Sequence, residues 1–584
     1  MDIGVPSVRN LFGIKLERVF LWIAIGITSI PLHLLYNSAI YTSLAANEFF
    51  VTIVTNNHFE SGASSNMTED LFSMYRENYN ITNWTGDMSQ KFHQLRIVLE
   101  EYNTSAQNYD DLTPRRCTKL YNTEFISSHR NLFLITKQSD NAMHNTTLLD
   151  TFQVGVNGIS PGRWMCDYHG VASGETYYQD GPTCNPSDLV SNVTNGLPWL
   201  LQLRRGGEVE ISGCKSEKTE EKCKVQFSLR IMIVVICCNI AKACCMIITV
   251  VRSREPTLVT LGDAVDSFLR IPDPTTAAIC FADRQFVKRE WGCGWRTRPR
   301  QWRKMGVQKW WTSVSKTRWI TCNALCSVAI MAAGVSLASG MGKDGRYWSN
   351  DIKSMWTRGF GKVNSVSLVG ISFKNITMAI LLANVPQTIL SFLYLTYHSL
   401  FTCMLLGHEW SLFGHHHRTL RVTSPRPGQC STYWLQMPYN YAIPLMVLSG
   451  LLHWLASQSI FLARVEIRDP LERPTPATIS TIGYSCIAII FALTLGILAL
   501  LAAIGMGYRP LASEITAAGS CSAAISAACH TWEDPEVIVG KKVRWGDVGI
   551  VPNLVVRHLT FSSEGGVGKP VFGGIYAGTG QDRE

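Results

Sequence analysis

Three short stretches hold the residue types that metal, thiol or acid–base chemistry would use. The first, LLGHEWSLFGHHHRTLR at 405–421, places His408 and Glu409 two helical turns ahead of His415, His416 and His417. A zinc protease site needs H-E-x-x-H, two histidines one turn apart with the glutamate beside them. Position 412 is leucine, so the signature fails and the stretch reads as a basic segment beside a membrane. The second, SAACH, sets Cys529 next to His530, but adjacency in sequence is not the geometry of a thiolate and its base. The third, VICCNIAKACC at 235–245, has paired thiols. Neighbouring cysteines on a helix point about 100° apart, so they suit packing between helices better than a shared metal. No phosphate-binding glycine loop, paired-carboxylate motif or nucleophile elbow occurs in a fitting context, so neither a cofactor nor an enzymatic reaction is expected.

The third stretch also contains Lys242, near the middle of a run that is otherwise apolar from 227 to 251. Its meaning depends on the elements that hold it. Of 584 residues, 46% are hydrophobic and only 17% are charged. The apolar residues are concentrated in runs at roughly 19–45, 227–251, 319–341, 377–407, 441–465 and 481–507. About 20 apolar residues cross about 30 Å of hydrocarbon as a helix, so each run is a candidate span.

A lysine at mid-depth costs several kcal/mol on insertion scales unless it finds a partner or reaches the interface. Asn239 lies one turn away, and other runs offer His33, Asn37, Gln387, His398, His453 and Gln458. A polar cluster inside a helical bundle is therefore expected, serving either a solute or proton pathway or interhelical hydrogen bonding. Pro386 and Pro444 could kink helices around it.

Between the first two runs lies a segment of about 180 residues. Six of the seven N-x-S/T sequons fall in it, at Asn66, Asn80, Asn83, Asn103, Asn145 and Asn192; the seventh is Asn375. Residues 46–225 carry 15 Lys+Arg against 22 Asp+Glu, whereas 252–318 carry 14 against 6. Both signals place 46–226 outside as a glycosylated domain and 252–318 in the cytosol. The overall charge of +9 is thus mainly a topology signal and not a nucleic-acid footprint.

The first run, flanked by Arg9, Lys15 and Arg18 and without a small-residue cleavage site, reads as an uncleaved signal anchor over 1–45. Both termini are then cytosolic, with 319–507 supplying four further spans and 508–584 a cytosolic tail. The basic content of 342–376 opposes this arrangement: six cations, from Lys343 to Lys374, face Asp344 and Asp351.

In an oxidising compartment Cys166, Cys184, Cys214 and Cys223 read as a disulfide framework with three connectivities. Pairing of neighbours, 166 with 184 and 214 with 223, is expected, leaving Cys117 over. On the opposite side, residues 289–319 interleave Trp291, Trp295, Trp302, Trp310, Trp311 and Trp319 with Arg and Lys. Such a segment suits the membrane interface, with indoles among headgroups and cations on anionic lipid at 291–319.

Several longer stretches, MDIGVPSVRNL, LHLLYNSAIY, TLGDAVDSFLRIPDPTT, LANVPQTILSFLYLTYHSLFTCML, LRVTSPRPGQCSTYWLQMPYNYAIPLMVLSGLLHWLASQSIFL and GSCSAAISAACH, together resemble one family. It is a family of multi-spanning membrane proteins of filamentous fungi, named only for a domain of unknown function, number 6536. The resemblance implies an earlier start with a further span, so the chain is expected to be truncated at its amino terminus. The tail VRHLTFSSEGGVG departs from the family pattern, which implies a cysteine near His558. No reaction or ligand follows from the resemblance.

The expected architecture is a membrane protein, an α-helical bundle of about six transmembrane helices with one disulfide-bonded, glycosylated extracytoplasmic domain of mixed structure. Its expected home is the plasma membrane or another membrane of the secretory pathway. The expected function is non-enzymatic and receptor- or scaffold-like, acting through that domain on an extracellular ligand or cell-wall component. The alternative is a transporter or channel using the polar residues around Lys242.

Overall fold

The structure, a computed structural model, describes residues 1–59, 86–123, 125–137, 147–155, 161–165, 186–203, 207–220, 223–252, 257–283, 286–287, 299–303, 306–344, 351–363, 367–369, 373, 375–433, 437–516, 518–550 and 556–579.

The chain begins with helix α1 (Leu16–Leu35), then strands β1 (Ile40–Asn47) and β2 (Phe49–Val54). The long loop continues through α2 (Gly86–Ser105), β3 (Tyr109–Leu112), α3 (Pro114–Tyr121), β4 (His129–Thr136) and β5 (Leu148–Val154). It closes with α4 (Pro186–Thr194), β6 (Leu200–Gln202), β7 (Glu208–Lys218) and β8 (Cys223–Phe227). Next come α5 (Leu229–Arg252), α6 (Leu261–Arg270), β9 (Arg300–Gln301), α7 (Lys316–Asp344), α8 (Ile352–Thr357) and α9 (Ile376–Phe413). After β10 (Arg421–Val422) and β11 (Cys430–Ser431) follow α10 (Tyr439–Ser459), β12 (Ile460–Arg468), β13 (Pro474–Tyr484) and α11 (Cys486–Gly507). The last elements are α12 (Ser522–Ala527), α13 (Pro535–Val539), β14 (Arg544–Ile550), β15 (Arg557–Ser562) and β16 (Ile575–Tyr576).

Among the described residues five helices are long and apolar enough to cross a membrane: α1, α5, α7, α9 and α11. The sixth expected span, α10, has 21 residues but is interrupted by Asn440, His453 and Gln458 and does not join them on hydropathy. Two expected spans are also shorter than their apolar runs. Residues 40–47 and 460–468 are strands, because β-branched and aromatic residues there alternate with polar ones. The helices are apolar on their outer faces: α1 buries none of its residues and exposes Leu16, Phe20 and Ile27. Such surface is stable against hydrocarbon and not against water.

The spans are tied together by a four-stranded sheet of order β13-β12-β1-β8. Each strand adjoins a helix: β1 follows α1 after a single 3-10 turn at Tyr36–Ser38, β8 leads into α5, β12 follows α10, and β13 leads into α11. β1 pairs parallel with β12 and antiparallel with β8, and β12 pairs antiparallel with β13. Consequently α1 and α10 run towards this sheet while α5 and α11 run away from it. α7 also ends there, since a Cβ on Gly340 would lie 2.9 Å from the Tyr484 ring. α9 begins there, with the Phe373 amide donating to the Ser480 carbonyl. The six helices thus alternate in direction along the chain.

Beyond the connecting sheet lies the loop domain, a six-stranded mixed sheet of order β3-β7-β4-β2-β5 with β6 on β7. β2 is buried along its whole length, so both faces of the sheet are covered. One core gathers Phe49, Tyr121, Trp164 and Trp199, the other Phe50, Leu95, Leu99 and Phe133 from beneath α2.

At the opposite end of the bundle the chain forms a second compact body, here called the cap. It combines the first residues (Ile3, Val5), α6, the segment around Trp302 and Trp310, the last third of α9 and the chain after α11. A sheet of order β14-β15-β16-β9 lies within it. α9, 38 residues and about 57 Å long, runs from the connecting sheet into this core. The basic Trp-rich loop and the tail after 507 are therefore one folded unit.

Candidate functional site

Positions 384, 387, 388 and 391 of α9 recur at three- and four-residue spacing, which puts Asn384, Gln387, Thr388 and Ser391 on one helical face. That face meets α1. The Asn384 side chain donates to Ser38 Oγ at 2.7 Å, Asn37 donates to Gln387, and Ser391 Oγ lies 3.1 Å from His33 Nδ1. On the far side His33 stacks on His453 of α10, with ring centroids 6.3 Å apart and planes 17° from parallel. α5 packs on α1. The stem of a helical lysine leans towards the helix N-terminus, which for α5 is the connecting-sheet side, where His33 also lies. Asn384 and Gln387 are buried, Lys242 and His453 are half-buried, and His33 is exposed.

The structure thus joins His33, Asn37, Gln387 and His453 into one polar seam, with Lys242 on the neighbouring helix α5. It leaves out three of the residues expected around Lys242. Asn239 is exposed on α5, and His398 packs beside Tyr394, with centroids 5.9 Å apart. Gln458 abuts Gly361. Three members were missed, Ser38, Asn384 and Ser391; the helical spacing of the polar residues in α9 was the signal that could have found the last two.

In the loop domain the disulfide reading needs correction. Cys214 of β7 is bonded to Cys117 of α3, the cysteine expected to be left over, and both are buried. Cys117 faces the sheet because α3 is a short amphipathic helix that buries Cys117, Thr118 and Tyr121 against β7 and β4. Cys223 lies on β8 beside Leu44, in the connecting sheet and not next to Cys214. Cys166 and Cys184 lie outside the described residues. Among the sequons, Asn192 is exposed on α4, Asn103 is on α2, and Asn66, Asn80, Asn83 and Asn145 lie outside the described residues.

The tip of the β12–β13 hairpin enters this domain. The Pro470 carbonyl accepts from Asn131 Nδ2 at 3.0 Å and from Arg130 Nη1 at 3.3 Å, and Gln94 Nε2 donates to Asp469 at 3.1 Å. Asn131 is buried, receives the Phe50 amide at 3.0 Å and donates to Glu217 at 2.8 Å. Glu217 also pairs with Arg130. Leu471 packs on the core beneath α2. Nearby, burial depresses the pKa of His58 to about 4, and its Nδ1 is 2.7 Å from Thr147 Oγ1.

In the cap, the Trp-rich segment departs from the expected interfacial placement. Trp302 and Trp310 are buried, Trp302 against Phe281 and Trp545, and Trp310 stacked on His408 at 4.7 Å. Their indoles are core side chains, while Trp311 and Trp319 are half-buried; Trp291 and Trp295 lie outside the described residues. Glu409 is taken up by Arg421 at 2.7 Å, and His417 meets the Glu564 carbonyl at 3.0 Å. The Cys529 thiol donates to the Ile525 carbonyl, and burial pushes its pKa up. His530 turns away from it, its Nε2 lying 2.8 Å from Thr276 Oγ1, which in turn contacts Ser526. Burial, with the charge of His558 adding to it and Asp273 opposing, depresses the His530 pKa to about 4. His558 faces two carbonyls, of Ala577 and His530, at 2.7 and 2.8 Å, and a neutral ring can donate to only one of them.

Five apolar membrane-length helices, a mixed sheet region and one disulfide define an integral membrane protein. Residues 1–43 match the Family of unknown function (DUF6536), the family that the sequence motifs resemble; the match ends within β1. Residues 295–570 match the Domain of unknown function (DUF8419), which takes in the quoted motifs of α9 and α10. No curated protein and no solved structure matches the chain.

Proposed function

We propose that this is a non-enzymatic, receptor- or scaffold-like membrane protein whose loop domain is extracytoplasmic, takes an extracellular ligand or wall component, and passes its state through the bundle to a cytosolic cap. The observation that carries this reading is the hairpin tip at 469–473. It hydrogen-bonds into the loop domain with Pro470 buried there, and its two strands are uninterrupted extensions of α10 and α11. A shift of the six-stranded sheet moves these helices without an intervening flexible linker, and α9 continues the path into the cap.

The orientation, with both termini cytosolic, is supported by two further features. The disulfide lies in the sequon-bearing segment, while the free cysteines among the described residues lie in the spans or the cap. Six alternating crossings, α10 included, return the chain to its starting side. Glycosylation of the loop domain and residence in the plasma membrane or another secretory-pathway membrane belong to the same reading. So does contact of the 291–319 segment with anionic lipid, through cations such as Lys309 and Lys316 at the foot of α7.

The test is hydrogen exchange on the full-length protein in nanodiscs, with chitin and β-glucan oligomers as probes. Protection appearing together at 469–473 and in 397–413 supports coupling. Protection confined to the loop domain, or none with either probe or with whole wall extract, removes this reading. The polar seam favours a second reading, a transporter or channel, which radiotracer flux in proteoliposomes separates from the first.

A further inference from the structure

The backbone just beyond α11 runs beside the segment that leads into α7. The Trp310 amide donates to the Arg509 carbonyl at 2.9 Å, and the Leu511 amide donates to the Gln308 carbonyl at 2.7 Å. This short ladder sets two exposed cations, Lys309 and Arg509, on adjacent stretches. The Lys309 ammonium stands over the Tyr508 ring, 4.5 Å from its centre. The Arg509 guanidinium lies 5.7 Å from the centre of the Trp310 ring and donates to the Tyr441 hydroxyl at 3.4 Å. Neither cation has a carboxylate partner among the described residues, so aromatic faces hold both while their charge stays unneutralised.

The same end of α11 presents an apolar stripe. Leu498, Leu501, Gly505 and Tyr508 recur at three- and four-residue spacing and share one helical face. Leu498, Leu501 and Tyr508 are each more than half exposed. Gly505 leaves a gap in the stripe, since nothing lies within 4 Å of where its Cβ would be. An exposed apolar stripe that ends at a tyrosine and two uncancelled cations marks the level where hydrocarbon gives way to headgroups.

We propose that the foot of α11 is a seat for one anionic phospholipid, an acyl chain lying along Leu498, Leu501 and the gap at Gly505 and the phosphate meeting Lys309 and Arg509. A guanidinium beside an ammonium attracts phosphate and repels the choline of a zwitterionic headgroup. The proposal rests on the lipid contact read above for 291–319, and carries it beyond that segment to the ends of α10 and α11.

The experiment measures the Tm of full-length protein in phosphatidylcholine nanodiscs containing increasing phosphatidylserine. Wild type is expected to rise with phosphatidylserine, and the Lys309→Gln, Arg509→Gln double variant to need roughly tenfold more for the same rise. Arg9→Gln with Lys15→Gln removes the same charge at the foot of α1 and is expected to keep the wild-type response. No rise in wild type removes both this site and the wider lipid contact. An equal rise in the Lys309→Gln, Arg509→Gln variant, or an equal loss in the α1 control, rejects this site while the wider contact stands. The same rise produced by inorganic phosphate in phosphatidylcholine alone rejects a lipid as the occupant. Should the double variant fail to fold, Gly505→Phe decides, because it fills the gap without touching a charge. Loss of the rise then sustains the site, and an unchanged rise rejects it.

Discussion

Cys117 and Cys214, 97 positions apart, are joined where α3 crosses β7, with their Cα atoms 6.5 Å apart. The bond closes a long loop that includes β4, β5 and α4, so it removes much chain entropy from the unfolded state. The Cys117→Ser, Cys214→Ser double variant is expected to lose roughly 2–5 kcal/mol of loop-domain stability. Differential scanning of the solubilised protein should show one transition moving down while the cap transition stays, and dithiothreitol should do the same to wild type. A cap transition that falls equally would contradict this separation.

Asn192 offers a direct check of sidedness. It is exposed on α4 and its Ser/Thr partner is Thr194. Expressed in a eukaryotic host, wild type should shift on treatment with an N-glycosidase, and Asn192→Gln should migrate as one glycan lighter. Wild-type mobility insensitive to the enzyme would place the loop domain on the wrong side of the membrane.

Gly262, at the start of α6, lies against the backbone of Arg421: a Cβ there would sit 2.1 Å from the Arg421 carbonyl oxygen. Its neighbours Thr260 and Asp263 form a reciprocal cap, and Asp263 also accepts the Thr423 amide at 2.8 Å. Gly262→Ala must push α6 off β10 and is expected to cost about 1–3 kcal/mol. Asp263→Ala, which removes the carboxylate that five backbone or hydroxyl donors of Val259, Thr260 and Thr423 share, should cost a similar amount. Cap melting temperatures measure both; a neutral Gly262→Ala would show that α6 is free to slide.

Acid should loosen both ends of the molecule. His58 and His530 have folded pKa values of about 4, below the ordinary value of 6.5, because burial disfavours the imidazolium. The unfolded chain therefore binds more protons between these values. Stability is fully present above about pH 6.5 and is lost as pH falls towards 4, by roughly 1–3 kcal/mol for each ring. Melting curves between pH 7 and 4 should show the decline, flattened in the loop domain by His58→Gln and in the cap by His530→Gln. A pH-independent Tm over this window would mean that neither ring stays neutral.

Sequence by itself determined where the helices that can cross a membrane lie, because hydrocarbon imposes a length and an apolarity that a run of Leu, Ile, Val and Ala displays locally. It also marked the mixed domain between the first two of them, and the family of the first 43 residues. Partnerships between distant positions were not legible. Cys214 had three sequence neighbours to choose from and bonded to Cys117, since pairing follows the packing of α3 on β7. The indoles of Trp302 and Trp310 look interfacial among arginines, yet the chain beyond α11 folds over them. His33, Ser391 and His453 became neighbours only because a parallel pair of strands, β1 and β12, holds α1 beside the α9–α10 hairpin. Composition and periodicity report what one segment can bury; which side chains meet across segments depends on sheet register and helix contacts, and those exist only in the assembled fold.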